Sequence, residues 1–151
     1  MGLTELAYNE LKPNEVGRLG EYLCASWLGA HGMDVLERNW RCSAGEADII
    51  ADDSGERVFV EVKTRLSCGG PDLIPEQAVD SAKLARYRRM VDIYLGQNPE
   101  VDHVRIDVAG VTLTGPDSAH MHYLKSILLD DFRCRATPSG ARRLRASKPF
   151  P

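Results

Sequence analysis

The stretch GEADIIADDSGERVFVEVK, residues 45–63, constrains the fold of this chain more than any other segment. Two largely apolar runs with many β-branched residues lie on either side of the turn sequence DSGE, and this pattern predicts a β-hairpin. We expect residues 53–56 to form a four-residue loop, so that Asp52 pairs with Arg57.

Acidic side chains of this hairpin are expected to share one surface with a lysine. Because side chains alternate along a strand, Glu46 and Asp48 share a face of the first strand, and Glu61 and Lys63 share a face of the second. Counting back from the loop puts Asp48 opposite Glu61 and Glu46 opposite Lys63. The other face is expected to hold the apolar residues Ala47, Ile49, Val58, Val60 and Val62.

Two opposed carboxylates need a positive partner. With Cβ atoms about 4.5 to 5.5 Å apart, Asp48 and Glu61 would destabilise the hairpin unless a cation lay between them. Magnesium suits this role, because it binds through one or two carboxylates together with waters and substrate phosphate oxygens. Lys63 is then placed to orient an attacking water or to stabilise charge on a phosphate. The pattern indicates metal-assisted phosphodiester hydrolysis.

An alternative interpretation is a solvated surface, in which Glu46 and Lys63 form an exposed ion pair and the two other acids face water. Such pairs are common and contribute little to stability, and strand alternation alone favours this interpretation. The sequence FVEVK weakens it, since a carboxylate and an amine stand in an apolar strand that is expected to be central. Buried charges need partners or metals.

The remaining elements follow from hydrophobic period and turn residues. The order is α, β, β, β, α, β, with the second helix as a crossover, which predicts an α/β fold. Pro75 is expected to open that second helix. The predicted helices cover residues 15–30 and 76–95, and the strands 33–40, 45–52, 57–64 and 103–113, followed by a short strand or turn near 120–124 and a helical turn at 126–132.

Composition limits the class of protein. With 151 residues the chain fits one domain, and neither a signal peptide nor a membrane-spanning run is found, so a cytoplasmic protein is expected. Its four cysteines form no CxxC pair, which argues against a zinc site or a disulfide framework. His103, His120 and His122 lack a carboxylate or cysteine at metal spacing and are predicted to be non-functional.

The last twenty residues differ in charge from the rest. From Phe132 onward the chain has six positive charges and no acid, although the whole chain has a net charge of -3. This tail, 132–151, is expected to be disordered, either as a solubilising end or as a weak phosphate-binding arm. The candidate phosphate contacts in it are Arg133, Arg135, Arg142 and Arg143. The folded domain is predicted to be 1–131.

The segments GRLGEYL, RNWR, GEADII, FVEVKTR and RIDV together resemble the bacterial YraN family, also called UPF0102. That family comprises predicted endonucleases similar to archaeal Holliday junction resolvases. The resemblance implies a restriction-endonuclease-like αβββαβ core, in which a mixed sheet is flanked by helices. It also implies Mg²⁺ or Mn²⁺ as the cofactor, branched or structured DNA as the substrate, and a homodimer, with no small-molecule cofactor and no membrane.

The resemblance also implies a set of site residues. Asp48, Glu61 and Lys63 match the catalytic motif, and Glu21 matches the helix-borne acid of the resolvases. Asp48, Glu61, Glu21 and the main-chain carbonyl of Val62 are the implied metal ligands. The related motif has a proline before its Asp, where this chain has Ala47 preceded by Glu46. Glu46 is either a further member of the site or the partner of Lys63. Gln77, Arg65 and Lys83 are further candidates, the first as a polar active-site residue and the others as phosphate contacts.

Three functions remain to be compared. The leading one is a metal-dependent endonuclease of branched or structured DNA. A non-catalytic nucleic-acid-binding or scaffold protein that keeps the nuclease fold is the alternative. A hydrolase of small phosphate compounds is disfavoured, because the sequence has no Gly-rich phosphate loop and no Ser or Cys nucleophile with a paired base.

Overall fold

The computed structural model describes residues 5–67, 70–71 and 80–126. Over these residues the chain forms three helices and five strands. In chain order they are α1 (Glu5–Asn9), α2 (Pro13–Ala30), β1 (Asp34–Cys42), β2 (Gly45–Asp53), β3 (Glu56–Leu66), α3 (Ser81–Gln97), β4 (Val104–Gly115) and β5 (Ser118–Leu124). The predicted order is confirmed; α1 was not predicted, and the predicted helical turn at 126–132 lies almost entirely outside the described residues.

The strands form one mixed sheet in the order β1-β2-β3-β4-β5. β3 and β4 are parallel, and the other neighbours are antiparallel. A parallel pair requires a crossover connection, and α3 lies in it, as predicted. No helix of the described part of the chain is long and apolar enough to cross a membrane.

The β2–β3 hairpin has a tighter turn than predicted. Asp53 pairs with Glu56, so the loop has two residues and not four. Ser54 and Gly55 both have positive φ, 55° and 92°, which is the backbone of a type I′ turn and matches the twist of the strands. The predicted pairing of Asp52 with Arg57 is nevertheless confirmed, because a shorter loop closed by one more pair keeps the same register.

The start of α3 also differs from the prediction. Asp80 is extended, with φ −110° and ψ 173°, and its carboxylate accepts a hydrogen bond from the backbone N–H of Lys83 at 2.8 Å. This is an N-cap, which satisfies a backbone donor in the first turn of the helix. The expectation that Pro75 opens one continuous helix is therefore wrong, since α3 begins at Ser81; residues 72–79 lie outside the described part.

Helices cover both faces of the sheet. On one face α3 packs over a hydrophobic cluster that includes Trp40, Ile50 and Phe59. On the other face α2 packs over a second cluster that includes Ile49, Val58 and Val60. Cys24, at the centre of α2, is fully buried, and burial raises the pKa of its thiol to about 12, so this cysteine is an inert core residue.

Side-chain alternation fails once in β2. Ala47 and Ile50, which are three residues apart, both belong to the cluster under α3, although strict alternation predicts opposite faces. At this point the β1–β2 pairing passes over Asn39 and Asp48, and Asn39 has φ 52°, although the register itself shifts only between Val35 and Glu37. The predicted grouping of Ala47 with Ile49 is therefore wrong, and Asp48 stands at an irregular point of its strand.

A buried ion network holds the start of β4. The guanidinium of Arg105 donates to both carboxylate oxygens of Asp107 at 2.9 Å, and it also pairs with Asp53 and Glu56 beside the hairpin turn. Asp107 is fully buried and accepts further hydrogen bonds from the Tyr123 hydroxyl and the backbone N–H of Ser126. This network ties β4 and the end of β5 to the turn of the β2–β3 hairpin.

Candidate active site

Asp48 is held against β3 by a backbone hydrogen bond. Its Oδ2 accepts from the N–H of Val62 at 2.8 Å, just beyond Ile49 and Val60, where the β2–β3 pairing ends. The carboxylate thus occupies the position at which a main-chain carbonyl would continue the ladder. This confirms that the hairpin brings Asp48 beside the strand that carries Glu61.

Glu61 is fixed from the opposite side by α3. The residue is 7% exposed, and its two carboxylate oxygens have different partners on the helix. Lys83 Nζ forms an ion pair with Oε1, and the Tyr87 hydroxyl donates to Oε2. Residues four apart share a helix face, so one turn of α3 holds both oxygens. Burial, reinforced by Glu61, raises the pKa of Tyr87, which keeps this hydroxyl a donor.

Glu21 reaches the site because α2 approaches β3 closely at Gly20. A Cβ built on Gly20 would lie 1.7 Å from Thr64 Oγ1, so only glycine allows the helix to lie this near. Burial raises the pKa of Glu21; Arg38 opposes the rise, while Glu46 and Glu61 add to it. The helix-borne acid is thus close enough to the hairpin to interact with its carboxylates.

Asp48, Glu61 and Glu21 form an acidic cluster. Burial raises the pKa of Asp48 to about 7, and the charges of Glu61 and Glu21 add to the rise. The Val62 N–H bond and Lys83 act in the opposite sense without cancelling it. Like charges close together in a partly buried site disfavour ionisation, and a cation among them relieves the repulsion.

The donor set fits a magnesium-type ion that is only partly held by protein. Within residues 5–67, 70–71 and 80–126, no three His, Cys, Asp or Glu side chains converge into a group that could hold a metal. Magnesium does not need such a cage, because it keeps several waters and uses one or two carboxylates with substrate phosphates. Asp48 and Glu61 provide the two carboxylates, and Glu21 is the nearby third acid.

Lys63 lies two residues beyond Glu61 on the same face of β3 and is exposed. Among the described residues no carboxylate is within ion-pair distance of it. Glu46 pairs instead with Arg41, at 2.8 Å between Oε2 and Nε. The interpretation that Glu46 and Lys63 neutralise each other is therefore wrong, because Glu46 lies opposite Arg41 in the β1–β2 ladder and beyond the end of the β2–β3 pairing.

Asn39 is a site neighbour that the sequence did not reveal. With its side-chain nitrogen facing the carboxylates, it donates to Glu46 Oε1 at 3.1 Å and Glu21 Oε2 at 3.3 Å. It therefore links the edge of the acidic cluster to β1. The available signal was an asparagine inside a strand, since asparagine tolerates the left-handed backbone that Asn39 adopts.

The candidate phosphate contacts lie in different environments. Lys83 was predicted to bind phosphate, but the structure pairs it with Glu61, and Tyr87, predicted as part of an apolar helix face, holds the other oxygen. The i, i+4 spacing of Lys83 and Tyr87 on the crossover helix is the sequence signal that could have identified them as two groups on one helix face. Arg65 is half-buried on β3 beyond Lys63. Outside the described residues lie Gln77, Arg133, Arg135, Arg142 and Arg143.

A mixed five-stranded sheet flanked by helices, with acids gathered on two adjacent strands, defines an α/β protein with a restriction-endonuclease-like core. Residues 20–111, more than half of the chain, match the family described as "Uncharacterised protein family UPF0102". The chain belongs to this family, which confirms the resemblance seen in its motifs.

Relatives carry the same name. A UPF0102 protein of Beutenbergia cavernae is 42% identical over 113 residues, which cover 74% of this chain and 94% of the relative. One of Streptomyces griseus is 49% identical over 98 residues, covering 64% of this chain and 81% of the relative. One of Mycobacterium sp. (strain JLS) is 44% identical over 112 residues, covering 70% and 82%. These names identify the family and give no activity.

Proposed function

We propose that this protein is a Mg²⁺- or Mn²⁺-dependent endonuclease that cuts branched or otherwise structured DNA. The observation that supports it is the acidic cluster, in which Asp48, Glu61 and Glu21 come from three different elements to one partly buried place. Burial, with the charges of Glu61 and Glu21 adding to it, raises the pKa of Asp48 to about 7, and strongly perturbed carboxylates of this kind concentrate at functional sites.

Each residue has a distinct role in this proposal. Asp48, Glu61 and the carbonyl of Val62 would hold the ion, with Glu21 as the outer acid. Such an ion supplies Lewis-acid polarisation of a phosphate and activation of water. Tyr87 and Lys83 are positioning residues, because they fix both oxygens of Glu61. Lys63, exposed on the same face, orients the attacking water or stabilises charge on the phosphate that is cleaved.

The test is nicking of labelled linear, flapped and four-way DNA in Mg²⁺, in Mn²⁺ and in EDTA. We expect metal-dependent cleavage that is lost in Asp48→Asn, Glu61→Gln and Lys63→Ala. The exposed acids of edge strand β1 provide matched controls, and Asp34→Asn and Glu37→Gln should cut at the wild-type rate. Absence of cleavage of all three substrates in both metals, with metal binding unchanged in Asp48→Asn, would refute the proposal.

One observation favours the alternative of a non-catalytic nucleic-acid-binding protein. Lys83 already provides Glu61 with a positive partner, so this carboxylate is satisfied without a metal. That function predicts salt-sensitive DNA binding that Glu61→Gln leaves unchanged and that removal of residues 132–151 weakens. Cleavage that persists after removal of the tail would exclude it as the whole function.

A homodimer is part of the proposal, because a two-fold symmetric dimer places one active site at each of two symmetrically related strands. Light scattering of the purified chain, alone and with four-way DNA, measures the mass directly. A monomer in both conditions would contradict this part without affecting the nicking result.

A further inference from the structure

The face of the sheet that carries Glu61 continues beyond the helix that covers it. α3 packs over Phe59 and Ile106 on this face, and its Lys83 and Tyr87 contact Glu61. Further along β3, the same face carries Lys63 and then Arg65. The end of the sheet beyond the acidic cluster therefore presents polar side chains where its middle presents apolar ones.

Strand register extends this polar end across three strands. Lys63 pairs with Gly110 of β4, which pairs with His122 of β5. Arg65 pairs with Thr112, which pairs with His120. Strands about 4.8 Å apart place Lys63 and His122 about 10 Å from each other, and two residues along a strand separate the two rows by about 7 Å.

The packing of the opposite face fixes which way these residues point. Val111 and Leu113 of β4 belong to the cluster under α2, and Met121 and Tyr123 of β5 pack against it. Alternation therefore places His120 and His122 on the same side as Lys63. Lys63, His120 and His122 are all exposed, and Arg65 is half-buried.

We propose that Lys63, Arg65, His120 and His122, here called the basic corner, bind the phosphate backbone of DNA beside the acidic cluster. Lysine and arginine pair with phosphates, and an imidazole N–H donates to a phosphate oxygen. The two rows contain no acid, whereas the whole chain has a net charge of -3, so the corner is a local site for a polyanion. This proposal gives His120 and His122 a role that the sequence analysis did not predict.

The inference rests on the proposed function for its choice of DNA, but it can be tested without cleavage. Binding of a labelled four-way junction is measured by fluorescence anisotropy in EDTA at several salt concentrations. We expect His120→Glu/His122→Glu to bind about tenfold more weakly at low salt, because each new carboxylate repels nearby phosphates. The matched control is Ser26→Glu/Ala30→Glu, which adds the same charge to exposed positions of α2 and should bind within about twofold of wild type.

A neutral variant shows whether weaker binding has a cause other than misfolding. His120→Gln/His122→Gln removes the imidazoles without adding charge, and we expect a loss of about two- to fivefold in affinity with an unchanged melting temperature. Equal effects of the corner and control variants, or wild-type affinity in the folded Gln variant, would overturn the basic corner. If the protein cuts DNA but the variants overturn the basic corner, the proposed nuclease function is unaffected. If the protein binds DNA through the basic corner but does not cut it, only the proposed nuclease function is refuted.

Discussion

Replacing Gly20 by alanine tests the close approach of α2 to β3 that brings Glu21 to the acidic cluster. The new Cβ would lie 1.7 Å from Thr64 Oγ1 and 2.6 Å from Thr64 Cβ, so rotating the threonine side chain cannot relieve the overlap and the helix must move. Overpacking of this kind costs about 1–3 kcal/mol or more, while alanine in a helix returns about 0.5–1 kcal/mol. We expect a net loss of about 2 kcal/mol, or about 4–8 °C in melting temperature.

Gly17→Ala is the matched control, one turn earlier in the same helix. Nothing lies within 4 Å of a Cβ built there, so alanine should stabilise the protein by about 0.5–1 kcal/mol. Urea unfolding of both variants measures the difference, and Thr64→Ala should recover part of the Gly20→Ala loss, with a coupling energy of about 1 kcal/mol. If Gly20→Ala stabilises the protein as Gly17→Ala does, the close approach and the resulting position of Glu21 are wrong.

Three further changes probe buried polar groups. Tyr87→Phe keeps the ring but removes the donor to Glu61, and we expect a loss of about 1.5–3 kcal/mol in urea unfolding. Burial raises the pKa of Asp48 to about 7, so the folded state binds this proton more tightly than the unfolded chain and stability falls as the pH rises from about 4 to 7. Asp48→Asn should therefore be more stable than wild type at pH 8 by about 1–3 kcal/mol without divalent cations. Arg105→Met leaves Asp107 buried without its cation, and melting should report a loss of about 3–5 kcal/mol.

Each of these changes has an exposed counterpart. Tyr22 is 59% exposed, so Tyr22→Phe should be nearly neutral. Asp34→Asn on β1 should leave the pH dependence of stability as in wild type. Arg41→Met breaks the exposed pair with Glu46 and should cost less than about 1 kcal/mol. A buried change that costs no more than its exposed counterpart would contradict the argument for that group.

Most of the fold could be predicted because its signals are local. The hairpin follows from two β-branched runs around Ser54 and Gly55. Its register was predicted correctly although the loop length was wrong, because a two-residue loop closed by Asp53 and Glu56 still leaves Asp52 opposite Arg57. The helices follow from apolar period and caps. The start of α3 was predicted too early, because Pro75 is a strong helix-start signal. Asp80 is identified as the N-cap only by the hydrogen bond that its carboxylate accepts from the N–H of Lys83.

The candidate site could be predicted only in part. Asp48, Glu61 and Lys63 lie in one hairpin, so its register is enough to place Asp48 beside the strand that carries the other two. Lys83, Tyr87 and Asn39 reach the acids through tertiary packing, which no spacing within a strand reports. Glu46 was left open between two roles, and it pairs with Arg41, its cross-strand partner on β1, which counting along the β2–β3 hairpin alone does not consider.

The parallel pairing of β3 with β4 has a consequence for the order of folding. The β2–β3 hairpin closes over a two-residue turn, so its contacts are local in sequence. The ion pair of Arg105 with Glu56 joins residues that are 49 positions apart, and contacts at such a separation form slowly. A chain that has made only the hairpin carries Glu61 without Lys83 or Tyr87, which arrive with the crossover. The two carboxylates are thus brought together when the hairpin closes, but Glu61 is held in place only when α3 docks on the sheet.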